Sequence, residues 1–494
     1  MPPAGNAPRA VAAVMALALA GALAGCATVG PDFKPPGPPQ GAAAAGYVMS
    51  GDPSSAGPHL SPAMPAAAPW WQDFGAPQLD QLVRTAFRDS PSVAEMTARL
   101  ERARAETDAA KGGRKPQVDA TSGLRRERFN SAQFGFPGFP SSTVNLYSVG
   151  GTVSYDLDLF GGRRRGVEQG LARTDAATHE ADAAYLSLAA NVVREALRMT
   201  ALRAQIAATQ AIIADDRRIV DMVRRAQAVG GEAPSAQAAP LTQLTQDEAD
   251  LPQLLRDYAV SRHQLALLVG ASPAAWAPPE IDPGQLKAPA SIPISLPSDL
   301  VRRRPDILTA EAELHAATAA IGVATANRYP NIRLSANLSQ VTRSPEDIFG
   351  YGASGWTIMS GLSAPLSHGG ALKARQTASE ADARVAQARY QQTVLRAFVQ
   401  VSDVLAALGA DRQEVDAHLR LQAIAAAKVH EADLVYPLGA ATLVQVIDTH
   451  LQLNRARRSL AKAQGREYLD LVDLYAATAA RWRVADETGA AAEH

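Results

Sequence analysis

The 494-residue chain carries 48 Lys and Arg against 49 Asp and Glu, a formal net charge of −1, and a single cysteine. That balance gives no footprint for nucleic acid, and one cysteine excludes a disulfide framework. Aromatic residues make up 5% while alanine is abundant, which suits closely packed helices better than a wide aromatic core.

The N-terminus has one positive charge, Arg9, then the apolar run Val11–Gly25, then Cys26. Such a run is short of the roughly 18–20 residues needed to span a bilayer, and the small residues before the cysteine look like a cleavage site. Residues 1–25 therefore read as an export signal whose loss, with Arg9, leaves the chain at −2. The stretch LAGC, Leu23–Cys26, resembles the bacterial lipobox, whose cysteine becomes the lipidated first residue. Ala27 follows it, which in that pattern favours sorting to the outer membrane. From Pro31 to about Pro69 the chain is Pro, Gly, Ala and Ser, too poor in large apolar residues to offset its ordering entropy, so residues 26–69 are expected as an extended leash. The folded body begins at WWQDFGAPQLDQLV, Trp70–Val83. No later apolar run reaches transmembrane-helix length, so a membrane crossing must use strands.

Two copies of one unit follow. Pro91 and Pro305, and again Pro116 and Pro330, are 214 residues apart; Gly161 and Gly369, and Gly231 and Gly439, are 208 apart. Four landmarks in one order imply a tandem duplication, with six extra residues in the first copy between Pro116 and Gly161. The copies are assigned to residues 70–285 and 286–482, with 483–494 as a tail. Each reads as helix, strands, long helix, turn, helix. Ile332, Leu334, Ala336 and Leu338 alternate with Arg333, Ser335 and Asn337, and Val149, Gly151, Val153, Tyr155, Leu157 and Leu159 alternate with Thr152, Ser154, Asp156 and Asp158. Period two over about 9–11 residues is the pattern of a tilted outer-membrane strand, and also of a half-buried soluble sheet. Two strands per copy are too few to close a barrel, so transmembrane strands would have to be pooled from several chains. Arg128–Thr143 reads as a Gly/Pro/Phe loop.

From Gly162 to Gly231 there is no proline, and about 68 helical residues would extend roughly 100 Å. Tyr185, Leu188, Val192, Glu195, Met199, Leu202, Ile206, Thr209, Ile213, Asp216, Val220 and Val223 form a mainly apolar heptad seam, matched in the second copy by Val394, Phe398, Val401, Leu405 and Leu408. Pro437 and Gly439 should reverse the second long helix, with Asp448 nine residues beyond. The sequence holds no Walker loop, G-x-G-x-x-G, G-x-S-x-G or H-E-x-x-H, so no enzyme activity is expected. The histidines are dispersed, Asp215-Asp216 beside Arg217-Arg218 reads as a charged helix face, and VRRRPDI, Val301–Ile307, as a structural junction.

The lipobox, the W-x-x-F start, RRRPDI, YDLDLFGG and the paired glycine turns together resemble the outer-membrane efflux factors, TolC-like channel proteins, and especially their lipoprotein branch similar to OprM and NodT. The similarity runs from about Trp70 to Trp482. It implies a mainly α fold of tandem long helical hairpins with a transmembrane β part, a homotrimer pooling four strands per chain into a twelve-stranded barrel, and a periplasmic helical tunnel. It also implies a channel role in a tripartite efflux system, with a periplasmic membrane-fusion adaptor and an inner-membrane pump as partners, small molecules such as drugs as cargo, and no cofactor beyond a covalent lipid on Cys26. The turns Ala228–Ser235 and Tyr436–Thr442 then form the adaptor-contacting tip, with Gly230, Gly231, Gly439, Ala440 and Thr442. Tyr436 matches a gate tyrosine and Asp448 an aspartate ringing the narrow pore. Ala441 stands where relatives often place a charged latch, and Pro240 and Pro252 are expected to interrupt the returning helix of the first copy. The 208 offset sets Pro240 opposite Asp448. A non-conducting coiled-coil tether and a protein-secretion duct remain as alternatives.

Overall fold

A computed structural model describes residues 28–37, 47, 59–61, 69–130, 142–289, 291–293 and 300–481. The expected signal segment, Cys26, most of the leash, the centre of the Phe-rich loop and the tail lie outside the described residues. The helices are α1 (Pro77–Asp89), α2 (Pro91–Gly112), α3 (Gly162–Ala228), α4 (Ala238–Leu268), α5 (Pro305–Ala326), α6 (Ala371–Val435) and α7 (Leu443–Ala477). The strands are β1 (His59–Ser61), β2 (Gln117–Phe129), β3 (Ser142–Leu157), β4 (Ser291–Pro293), β5 (Asn331–Thr342) and β6 (Ser354–Ser363). The chain forms two compact units, and each draws on both sequence copies: one holds 99–178 and 309–390 with the N-terminal stretch to Pro36, the other holds 37–98, 179–308 and 391–494. The copy boundary at 285/286 thus divides the sequence but not the packing.

The first unit is organised by one antiparallel sheet in the order β2-β3-β5-β6. Period two becomes a two-faced surface because the register aligns like with like. Val118, Val153, Ala336 and Ile358 stand in one row, and Gly151, Leu338 and Trp356 in the next. The alternate rows are polar: Asp119, Thr152, Asn337 and Thr357, with Asn337 donating to Thr152 Oγ1 at 2.9 Å. Ile358 is 75% exposed and Trp356 73%; an apolar face this bare is a surface for lipid rather than for a second protein layer. β3 spans 16 residues, β2 13, β5 12 and β6 10, so all but the last exceed the expected length.

In the same unit the buried Arg165 gathers the N-terminal stretch. Its guanidinium donates to the carbonyls of Val29 and Gly30 and pairs with Asp32 at 2.6 Å and Glu168 at 2.7 Å. Phe33 stacks on His315 at 4.4 Å. Gly161, at φ 73°, lets the chain turn where a Cβ would meet Thr28 Cγ2 at 2.6 Å.

The second unit has an aromatic nucleus at its start. Trp70, Trp71 and Phe74 lie on a 3-10 turn and are buried with Leu79, Leu82 and Phe87 of α1. Trp71 donates to Asp80 at 3.0 Å, and Tyr475 of α7 donates to Asp73 at 2.7 Å. Leu188, Val192, Met199, Leu202, Ile213, Val220 and Val223 are buried as the heptad seam predicts, but so are Val193, Leu197, Ile212 and Ile219, so α3 buries a broader face than a two-position seam. Val394, Val401, Leu405 and Leu408 of α6 are buried too. Arg304 is the expected junction: it donates to the Ala477 carbonyl at 2.7 Å, to Gln400 at 3.0 Å and to Asp306. β1 and β4 pair in parallel, an element the sequence did not suggest.

Three expectations are corrected. α4 is continuous through Pro252, and Pro240 is its third residue, where the missing N–H has no helical acceptor to lose; neither proline interrupts the helix. The helix starts show that Gly370, not Gly369, answers Gly161: Arg165 N–H bonds to Gly161 and Ala374 N–H to Gly370. The offset there is 209, so the first copy carries five extra residues rather than six. Finally, one 18-residue window within Ala371–Leu438 reaches a mean hydropathy of 1.4, a spanning-length run that the alanine-rich sequence did not lead us to expect.

Candidate functional site

The two helix reversals lie in the second unit and share one backbone device. At the end of α3, Gly230 N–H bonds to the Gln227 carbonyl and Gly231 N–H to Ala226; at the end of α6, Gly439 N–H bonds to Tyr436 and Ala440 N–H to Val435. Gly230 has φ 79° and Gly439 φ 75°. This is the Schellman pattern, whose left-handed residue favours glycine because it lacks a Cβ. Gly230 is therefore the counterpart of Gly439, and Gly231 that of Ala440, one residue from the sequence pairing, because two adjacent glycines gave the sequence no way to choose.

Beyond the reversal the turns differ. In the second, Thr442 caps α7 in a reciprocal box with Gln445. In the first, Gln227 reaches over the turn to the Ala233 carbonyl at 2.7 Å, and a 3-10 turn, Pro234–Gln237, precedes α4. Because the returning helices begin at different distances from their glycines, Asp448, sixth in α7, answers Gln243, sixth in α4, rather than Pro240. Neither pairing gives the first copy a carboxylate there.

Tyr436 is half-buried in the 3-10 turn Tyr436–Leu438, and Asp448 is exposed on α7. Asp448 accepts from Gln452 at 2.8 Å and has no cationic partner among the described residues, so its charge faces solvent. Ala441 is half-buried and Thr442 exposed. Among the described residues no hydrogen bond joins one turn to the other. The legs of the second hairpin are clipped by His450 and Asp433 at 3.1 Å. Both turns expose apolar side chains: Val229 at 84%, Leu438 at 80% and Val444 at 69%.

A feature the sequence hid lies within the first hairpin. Asp216 does not belong to a solvated charged face. It is 2% exposed and faces Asp247 of α4, which is 1% exposed. Asp215 does pair with Arg218, at 3.1 Å, and reaches Arg457 at 3.5 Å, whereas Arg217 turns to Glu248 at 2.8 Å. Arg458 of α7 pairs with both Asp247 and Asp250. Burial, then the hydrogen bond and charge of Asp247, push the Asp216 carboxyl up to about 7. Burial alone would also raise Asp247, but hydrogen bonds from Gln243, Arg458 and Asp216 outweigh it and hold Asp247 below its ordinary value. The second hairpin has a parallel: burial and Asp411 of α6 push Asp470 of α7 up to about 6. Each hairpin thus has two carboxyls close together between its legs; in the first, Asp216 holds against Asp247 best when it keeps a proton.

A family model described as outer membrane efflux protein matches residues 82–271 and 296–480. Nodulation protein T of Rhizobium leguminosarum bv. viciae is 29% identical over 459 residues, covering 92% of this chain and 90% of that protein. The toluene efflux pump outer membrane protein TtgC of Pseudomonas putida is 29% identical over 479 residues, 95% of each. Among solved structures the outer-membrane channel OprN matches with a TM-score of 0.81 at 25% identity, over 92% of this chain and 100% of that one.

Proposed function

This chain belongs to the outer membrane efflux protein family, and from that membership we propose that it works as a homotrimeric exit duct, joined by a periplasmic membrane-fusion adaptor to an inner-membrane pump that supplies the energy. It is an efflux channel of the outer membrane. The observation that carries the trimer is the sheet: four strands with one bare apolar face and open edges at β2 and β6 cannot stand alone in lipid, because unpaired backbone groups there cost several kcal/mol each. Three chains supply twelve strands and close the edges. The exposed Val229, Leu438 and Val444 at the turns suit docking onto an apolar adaptor surface. Tyr436 and Asp448 serve at the gate, with Asp448 repeated three times as a carboxylate ring that favours cations, as charged rings do in other pores. The exported compounds are small molecules selected by the pump.

Planar-bilayer recording tests this reading. The purified full-length protein is expected to give discrete cation-selective openings, and Asp448→Asn to keep a pore while lowering the cation-to-anion permeability ratio severalfold. Absence of any pore, even with Asp448→Ala, would favour a coiled-coil tether instead.

The lipid anchor is proposed at Cys26, on the LAGC motif. Cys26→Ser is expected to abolish incorporation of radiolabelled palmitate and to reduce retention in the outer membrane; undiminished labelling would refute the assignment.

A further inference from the structure

Antiparallel pairing brings the start of β2, the end of β3, the start of β5 and the end of β6 to one end of the sheet, as the partners Gln117↔Ser154, Leu157↔Ile332 and Asn331↔Ser363 show. All four junctions there carry exposed cations: Arg114 and Lys115 before β2, Arg164 after β3, Arg328 before β5, and Lys373 and Arg375 after β6. None of the six has a carboxylate partner among the described residues. Of the acids at this end, Asp156 pairs with Arg163 and Arg333, Asp158 accepts the N–H groups of Arg163 and Arg164 at 2.9 and 2.8 Å, and Asp119, the third residue of β2, lies further into the sheet opposite Thr152. The other end of the sheet is mixed in sign, with Arg125, Arg126, Arg128 and Arg343 beside Glu127, Glu346 and Asp347. In a chain of net charge −1, an uncompensated positive end is a local feature and not a reflection of overall composition.

Beside these cations, between the ends of β3 and β6, lies a cavity of about 590 Å³. Its lining holds Arg163 and Arg333 with their partner Asp156, together with Asp158 and His368, while Phe160 and Tyr329, stacked at 4.6 Å, form an apolar wall. Cationic groups beside an apolar wall match a phosphate headgroup with its glycerol and first methylenes.

We propose that this end of the sheet is a docking surface for the phosphate headgroups of anionic phospholipids in the periplasmic leaflet of the outer membrane. The proposal rests on the reading of the sheet as membrane-spanning, in which the end joined to the long helices meets that leaflet. The cations hold the sheet at a fixed depth by charge, independently of the lipid on Cys26.

The test is lipid retention by the purified full-length protein in nanodiscs made from equal phosphatidylglycerol and phosphatidylethanolamine, read by native mass spectrometry. The wild-type protein is expected to retain phosphatidylglycerol preferentially. The fourfold variant Arg114→Gln, Lys115→Gln, Lys373→Gln, Arg375→Gln is expected to lower that preference by about fivefold or more, since each cation near an anionic surface contributes roughly that factor. Arg125→Gln with Arg126→Gln, at the other end, should leave it unchanged. Equal retention of the two lipids by wild type, or an equal loss in the control, would overturn the proposal. So would a fourfold variant that keeps its lipid preference and instead changes ion permeability, which would place these cations in the lumen. Failure of the wild-type protein to enter bilayers at all would strike the membrane-spanning reading instead, so the two failures are distinguishable.

Discussion

Trp70→Ala is expected to destabilise the protein by about 3–5 kcal/mol, the usual cost of truncating a buried tryptophan, and to lower its melting temperature by several degrees. Trp70 is 2% exposed. It stacks on Tyr475 at 5.1 Å and meets Trp71 and Phe74 edge-on at 5.8 and 6.3 Å. Removing the indole unseats three further rings and separates the first helical turn of the folded body from the last helix, which Tyr475 also ties through Asp73. The chemistry of the ring supplies an internal control. The buried Trp70 indole N–H has no hydrogen-bond partner among the described residues, so Trp70→Phe loses an unmet donor along with some area and should cost far less. Circular-dichroism melts of both variants check this; an alanine variant as stable as the phenylalanine one would show that the aromatic cluster does not hold the unit.

A second large effect is the response to pH. Asp216 has a folded-state pKa of about 7 against an ordinary 3.8. A carboxyl raised on folding stabilises fully below its ordinary value and loses that contribution as pH rises through the raised one. At roughly 1.4 kcal/mol per unit, the loss is at most about 4 kcal/mol. Asp247, lowered on folding, behaves oppositely: its contribution is present above its ordinary value and lost as pH falls through the depressed one. The groups facing the pair are Asp215 on α3, Gln243, Glu248 and Asp250 on α4, and Arg457 and Arg458 on α7; the arginines keep their charge throughout. The first hairpin should therefore be most stable near about pH 4 and lose stability progressively between about pH 4 and 7, where the folded state keeps a proton that the unfolded chain has lost. Asp216→Asn should flatten that decline, since an amide can donate to Asp247 without titrating. Asp470, raised to about 6, adds a similar decline in the second hairpin, so the Asp216→Asn, Asp470→Asn double variant should be flatter still. Hydrogen exchange of α3 and α4 amides across this range is the measurement; an unchanged slope in Asp216→Asn would refute the proton held on Asp216.

Those two cases show where sequence patterns suffice and where they stop. The heptad spacing placed Asp216 on the seam with Leu202, Ile213 and Val220, so its burial was legible in principle. The neighbouring Arg217 and Arg218 suggested a solvated face, and nothing local names Asp247 or Arg458 as partners 31 and 242 residues away. The same limit acted at the turns. Glycine announced both reversals, but choosing Gly230 over Gly231 depends on which amide reaches Ala226, a matter of helix length.

By itself, the sequence determined the duplication, the long helices and their reversals, and the two-faced strands, because each is written in spacing along the chain: 3.6 for helices, two for strands, and a fixed offset for the repeat. Only the tertiary structure decided the strand register that aligns Val118, Val153, Ala336 and Ile358, the continuity of α4 through Pro252, the paired carboxyls between the hairpin legs, and the positive end of the sheet. The physical reason is common to three of them. The register, the carboxyl pairs and the positive end depend on groups far apart in the chain, and their energies are set by burial and by the neighbour that arrives, quantities that no local period encodes.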